Sequence, residues 1–150
     1  MSLDSIDLNI LRELSKDARV ALSTISSRVN LSIPAVSERI KKLEKSGYIE
    51  KYTALLNPDK FNKSLTCFTF ITLKYDEEEL ESFRQFIESN LDIMECHLIT
   101  GEYEYMLKIV TNGPDSLGKI LSELRKKADV LQSSTSISLS TLKNNVSISI

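Results

Sequence analysis

An α+β chain in two parts is predicted by three patterns in these 150 residues. The first third repeats apolar residues at helical spacing in short segments. From Leu65 onward, runs rich in β-branched and aromatic residues alternate with helical ones. Between the two regimes lies a polar, turn-forming stretch, Asn57-Pro58-Asp59-Lys60-Phe61-Asn62-Lys63-Ser64. We therefore read 1–56 as a helical N-terminal domain, 57–64 as a linker and 65–150 as a second domain. At 41% hydrophobic residues, a chain of this length fills one core of ordinary size or two small ones, and the change of periodicity favours two.

The first helix opens at Leu3 to Leu8, where Asp4 is placed as cap, Asp7 adds an acid to the first turn, and Leu3 and Leu8 are spaced as a hydrophobic staple. Ile6, Ile10, Leu11 and Leu14 continue its apolar stripe, and Ser15 to Arg19 read as the turn that follows. Over 20–49, VALSTISSRVNLSIPAVSERIKKLEKSGYI, the spacing predicts two more helices. Leu22, Ile25 and Val29 form one stripe; Ile33, Val36, Ile40 and Leu43 form the other. Asn30 sits between them, one of the few residues besides Gly that tolerates a left-handed conformation. Ser32 is placed to cap the second of these helices, and Pro34 falls in the first turn, where its missing N–H is not needed. Gly47 supplies a left-handed stop, and Tyr48 to Leu55, rich in strand formers, reads as a wing. Three helices, the last two joined by a tight turn, and a wing make a winged helix-turn-helix.

Spacing residues by about 100° puts Pro34, Ala35, Glu38, Lys41, Lys42 and Lys45 opposite the stripe of the third helix, with Ser37 and Arg39 on its flanks. The outward face is compact at its N-terminal end and basic further along, which suits a helix entering the major groove of double-stranded DNA. Ser37, Glu38 and Arg39 are placed to reach base edges, Glu accepting from cytosine and Arg pairing with guanine. With Ser32, and with Lys51 and Tyr52 of the wing on the DNA backbone, these residues make up the expected DNA-binding set. Two other readings stay open: a merely solvated charged face, and a winged helix that contacts another protein in a small-molecule sensor or assembly protein.

In the second domain Thr66 to Tyr75 reads as a strand with Phe68 and Phe70 on one face and Cys67, Ile71, Leu73 and Tyr75 on the other, so both faces are expected to be buried. Glu77 to Asn90 returns to helical spacing through Leu80, Phe83 and Ile87, with acids at its start. Ile93 to Thr100 and Tyr103 to Thr111 read as strands joined at Gly101-Glu102. A further helix, opened by Asn112-Gly113-Pro114-Asp115, carries Leu117, Ile120, Leu121 and Leu124. Val130 to Leu142 alternates Ile137, Leu139 and Thr141 with Ser136, Ser138 and Ser140, a strand pattern, and Val146, Ile148 and Ile150 suggest an added edge strand. The order β-α-β-β-α-β predicts a ferredoxin-like domain, a four-stranded antiparallel sheet with both helices on one face. Apolar residues on both faces of the first and third strands imply that a second copy covers the other face, a homodimer.

The first sixty residues carry a net charge of +2 and the remaining ninety −4, a basic head on a mildly acidic body. With a whole-chain pI near 5.5, DNA binding has to come from local geometry and should be salt-sensitive. No apolar run approaches a membrane span, and MSLDSIDLN lacks the basic start and apolar core of an export signal, so a cytoplasmic protein is expected. Cys67 and Cys96 have no second Cys or His at metal-ligand spacing and read as buried thiols, with no metal site. One His, no Cys–His motif, no glycine-rich phosphate loop and no paired carboxylates give an enzyme no support; no catalytic residues and no cofactor are expected.

Three segments together resemble the Lrp/AsnC, or feast/famine, family of prokaryotic transcription regulators: LDxxDxxIL at Leu3 to Leu11, LSIPAVSERIKKLEKSGYI, and TGEYEYMLKI. The resemblance spans essentially the whole chain. The middle segment is the most specific, since it combines cap, stripe, Arg39, Leu43-Glu44 and Gly47 in one register. It implies a DNA-binding head, a linker strand, and a ligand-sensing, oligomerising C-terminal domain, with dimers that commonly assemble into octamers and bend DNA. It further implies an amino-acid effector bound between dimers near the turn after the second strand. That would involve Thr100, Gly101, Glu102, Tyr103 and Glu104, with Ser133, Ser134 and Thr135 of the last strand as partners. A carboxylate and free backbone N–H groups at a glycine turn suit a zwitterion. Glu104 stands where many members carry Asp, and the extra methylene is expected to reshape an amino-group pocket. His97, on the strand leading in, reads as structural.

Overall fold

Local sequence decides most of the element boundaries in the computed structural model, which describes residues 2–150. The chain forms two compact units, Met1–Leu55 together with Lys143–Ile150, and Leu56–Leu142. In the first, α1 (Ser5–Lys16) starts with a capping box: the Asp4 carboxylate accepts from the Asp7 N–H at 2.7 Å, and the Asp7 carboxylate accepts from the Asp4 N–H at 3.1 Å. The helix runs through Ser15 and Lys16, two residues beyond the expected stop. Next, α2 (Leu22–Val29) ends at Asn30, which adopts the left-handed conformation with φ 53°. Ser32 caps α3 (Ile33–Lys45) through a long bond, 3.4 Å from the Ala35 N–H, and Gly47 follows with φ 75°. Ile10, Ile25, Val29, Val36, Ile40 and Leu43 form one core, flanked by Leu3, Ile6, Leu11 and Leu14. Two stripe positions are outside it: Leu22 and Ile33 are exposed.

The expected wing strand does not form. No residue from Ile49 to Asn57 joins a ladder, and the chain continues as an irregular extended segment. Strand-forming residues need a paired neighbour, and nothing in this unit supplies one. Within 57–64, Pro58–Phe61 makes one 3₁₀ turn capped by Asn57.

The second unit has β1 (Leu65–Leu73), α4 (Glu77–Ser89), β2 (Ile93–Leu98), β3 (Tyr105–Thr111), α5 (Pro114–Lys127) and β4 (Val130–Ile137). The antiparallel sheet has the order β2-β3-β1-β4, the ferredoxin-like topology read from the sequence. Cys67, Ile71 and Leu73 of β1 and Leu107 and Ile109 of β3 pack under Phe83, Phe86, Leu117, Ile120 and Leu124 of the helices. Only this face is buried. Phe68 and Phe70, expected inside a doubly covered strand, are half-exposed on the opposite face. β4 stops at Ile137: Cys67 faces Ile137, and the Ser138 N–H to Thr66 carbonyl bond is the last rung. Leu139 and Leu142 are almost fully exposed beyond it. Val146, Ile148 and Ile150 add no edge strand; Lys143–Ile150 groups with the first unit, where Arg12 Nε donates to the Ile150 carbonyl at 2.9 Å. Of the two thiols, Cys67 is buried and Cys96 is exposed, contrary to the expectation for it, because β2 is an edge strand.

Candidate nucleic-acid interface and effector turn

The buried stripe of α3 fixes what the helix offers outward. With Val36, Ile40 and Leu43 inward, Ser32, Pro34, Glu38, Lys41, Lys42 and Lys45 are exposed, and Ala35, Ser37 and Arg39 are half-buried on the flanks. Among the described residues no ion pair engages Lys41, Lys42 or Lys45, so the C-terminal half of the helix presents three uncompensated cations. Lys51 and Tyr52 are exposed in the extended segment beyond the helix. The Tyr52 hydroxyl donates to Glu44 Oε1 at 2.9 Å; its partial burial and this acidic neighbour push the phenol up to about 12.

Arg39 differs from the other members of the set. Its Nη1 lies 2.7 Å from Asp4 Oδ2 and 2.7 Å from Asp7 Oδ1, at the start of α1. The two carboxylates raise the Arg39 pKa, and Asp4 is lowered, first by the Asp7 N–H in the capping box and then by Arg39. An open hollow of about 420 Å³ lies beside it, lined by Asp7, Ala35, Glu38, Arg39 and Lys42.

In the second unit the residues singled out around Gly101 gather at one end of the sheet. Gly101, with φ 130°, turns the chain between β2 and β3, and the Ile99 N–H to Glu104 carbonyl bond of 2.7 Å closes the loop. Glu104 is already engaged: its N–H donates to the Ile71 carbonyl at 3.0 Å, and its carboxylate accepts from the Leu73 N–H at 3.2 Å. The Glu104 side chain thus takes up a backbone N–H at the last residue of β1. Thr100 and Glu102 are exposed beside it. Ile71 pairs with Tyr105 on one side and Ser133 on the other, so β4 meets this end of the sheet.

The three β4 residues do not share a face. Ser133 and Thr135 pair with Ile71 and Thr69 of the helix-covered face, and the Thr135 and Thr69 hydroxyls are 3.0 Å apart. Ser134 pairs with Phe70 on the open face, where the Phe70 and Tyr103 rings lie 5.8 Å apart. Sequence reasoning missed Gln132, whose amide donates to Glu102 Oε1 at 3.2 Å and to the Tyr103 hydroxyl at 3.3 Å. Its position one residue before the Ser-Ser-Thr run was the available signal. Thr72, opposite Gln132, has a buried hydroxyl with no partner. His97 lies on the open face, its Nε2 3.3 Å from Glu95, which also accepts from Lys108 at 2.8 Å.

Among the described residues no cluster of His, Cys, Asp or Glu is arranged to hold a metal ion, and no helix is long and apolar enough to cross a membrane.

Known proteins resemble both units. Residues 3–50 match the model of a winged helix-turn-helix DNA-binding domain, and residues 66–148 match that of the Lrp/AsnC ligand binding domain. The leucine-responsive regulatory protein of Escherichia coli K12 is 41% identical over 122 residues, 81% of this chain and 74% of that protein. A Neisseria meningitidis transcriptional regulator solved with L-Met superposes with a TM-score of 0.93 at 27% identity, over 99% of this chain and 97% of that one. A feast or famine regulatory protein of Mycobacterium tuberculosis, complexed with L-methionine, gives 0.88 at 29% identity over 98% and 99%.

Proposed function

The chain belongs to the Lrp/AsnC family of transcription regulators, and from that premise we propose how its residues divide the work of a DNA-binding regulator. α3 enters the major groove. Its exposed lysines, Lys41, Lys42 and Lys45, meet phosphates, with Lys51 and Tyr52 beyond them, and Ser32, Pro34, Ala35, Ser37 and Glu38 lie nearest the bases. The observation that carries this reading is the outward basic face of a capped helix, without an ion pair at Lys41, Lys42 or Lys45 among the described residues, whose opposite face packs Val36, Ile40 and Leu43 into the core. Release of counterions by these cations makes the affinity fall steeply with salt.

The second unit senses a small molecule. We place an amino-acid effector at the Gly101 turn, near Thr100, Glu102, Tyr103, Ser134 and Gln132. Two similar structures carry L-methionine, and the bacterial relatives are named for leucine, which makes aliphatic and thioether amino acids the first to test. Glu104 holds the end of β1, and Ser133 and Thr135 support the strand rather than the ligand. The open face of the sheet joins two copies into a homodimer, with higher assembly such as an octamer built from dimers. Neither a metal nor a bound cofactor has a part in this function, catalysis has none, and the protein acts in the cytoplasm.

The test is a selection of duplexes from random-sequence DNA by the purified full chain, followed by titration of the selected duplex with and without each amino acid. The reading expects a selected sequence bound more tightly than a scrambled one, weakening with salt, and an amino acid that changes that affinity. Tight amino-acid binding with no retention of any duplex in moderate salt would instead favour a sensor whose winged helix contacts another protein.

A further inference from the structure

We propose that Arg39 is a positioning residue: its pair with Asp4 and Asp7 seats α3 against α1, and so decides which side chains of α3 meet the bases, while Arg39 itself makes no contact with the duplex. Arg39 lies roughly 65° from the middle of the buried stripe, far from the outward centre near Lys41 and Lys45. Each acid divides its two oxygens. Asp4 Oδ1 and Asp7 Oδ2 close the capping box, and Asp4 Oδ2 and Asp7 Oδ1 both turn to Arg39. One guanidinium nitrogen thus joins the first turn of α1 to the middle of α3. The Asp7 carboxylate is only 4% exposed, so drawing Arg39 out to a base or phosphate would strip a buried anion of its counter-charge, a change that proteins resist strongly. Glu38 on the rim of the neighbouring hollow also repels a phosphate approaching from that side. This inference rests on α3 being the helix that enters the groove.

Removing the acids separates the two roles of Arg39. In Asp4→Ser with Asp7→Asn the capping box keeps its hydrogen-bonding atoms but both charges disappear, which frees Arg39. We compare this double variant with Arg39→Gln and Arg39→Lys in the full chain. The readout is affinity for a duplex selected by the native protein and for a scrambled duplex, over a series of salt concentrations, alongside the melting temperature. Both the double variant and Arg39→Gln are expected to lose about ten-fold of the selected-to-scrambled affinity ratio with unchanged salt slope, the size of one mismatched base pair, and Arg39→Lys is expected to recover part of it.

Three outcomes overturn the proposal. If Arg39→Gln reduces the salt slope by about one while the double variant binds as well as or better than the native chain, Arg39 is a direct contact. If melting temperatures fall but every affinity ratio holds, the pair only stabilises the head. If the native protein selects no duplex, the groove assignment fails and this inference with it.

Discussion

At the scale of single residues, Asp92 shows how a carboxylate far from any proposed site tunes stability. It accepts from Lys63, in the segment before β1, and from the Thr111 hydroxyl at the end of β3. Burial raises its pKa, but the hydrogen bonds from Lys63 and Thr111, with the Lys63 charge, outweigh that and leave it lowered from 3.8. A depressed carboxylate stabilises the fold fully above its unfolded pKa, and that contribution is lost as pH falls through the native value. Asp92→Asn should therefore lower the urea midpoint at pH 7, with the gap to the unsubstituted chain closing below about pH 4. A gap that stays constant with pH would show that the loss is steric. Residues whose partners are close in sequence were legible beforehand: Asp4, Asn30, Ser32 and Gly47 all do locally what their chemistry suggests. Arg39, Glu104 and Gln132 were not, because their partners lie about thirty positions away and only folding brings them together.

At the scale of elements, periodicity located the five α-helices and the strands β1 and β3, since each has one buried face that selects its spacing, whereas β2 and β4, with no fully buried residue, were marked by their strand-forming composition and alternation alone. It failed where a pattern had no partner. Tyr48 to Leu55 and the stretch after Ser138 carry strand-forming residues, yet neither forms a ladder, because a strand is a property of two paired segments and not of one. The segment after α3 is instead held by the Tyr52 hydroxyl on Glu44, at the helix end. That contact separates two of the proposed DNA contacts. Lys42 has no ion pair among the described residues, so Lys42→Ala should weaken duplex binding across sequences and reduce the slope of log affinity against log salt by about 0.9. Tyr52→Phe should leave that slope unchanged, because a hydroxyl already donated to Glu44 neutralises no phosphate. Filter binding of the selected duplex over several salt concentrations measures both slopes, and a Lys42→Ala slope equal to that of the native chain would remove this lysine from the interface.

At the scale of the whole molecule, the sheet has a finished side and an unfinished one. The helices seal Cys67, Ile71, Leu107 and Ile109, whereas Phe68, Phe70, Met106 and Val110 are only half covered. The sequence pattern showed apolar residues on both faces of β1, but what covers the second face lies outside a single chain, which is why it reads as an interface. The same face carries Lys108 and Glu95, paired at 2.8 Å, with Lys108 holding the Glu95 carboxyl below its usual range, so burial there leaves no lone charge. Phe68→Glu tests the assignment cleanly. Phe68 sits opposite Lys108 in the ladder with β3, on the face away from the helices, so the helix-side core is untouched, and because Lys108 is already paired with Glu95 the new carboxylate has no cation of its own. In a dimer joined through this face each copy would bury such a carboxylate in the contact, at a cost of several kcal/mol. Sedimentation velocity should show the unsubstituted chain as a dimer or larger and Phe68→Glu as a monomer with unchanged far-ultraviolet circular dichroism. A variant that remains fully dimeric would place the contact between copies elsewhere on the molecule.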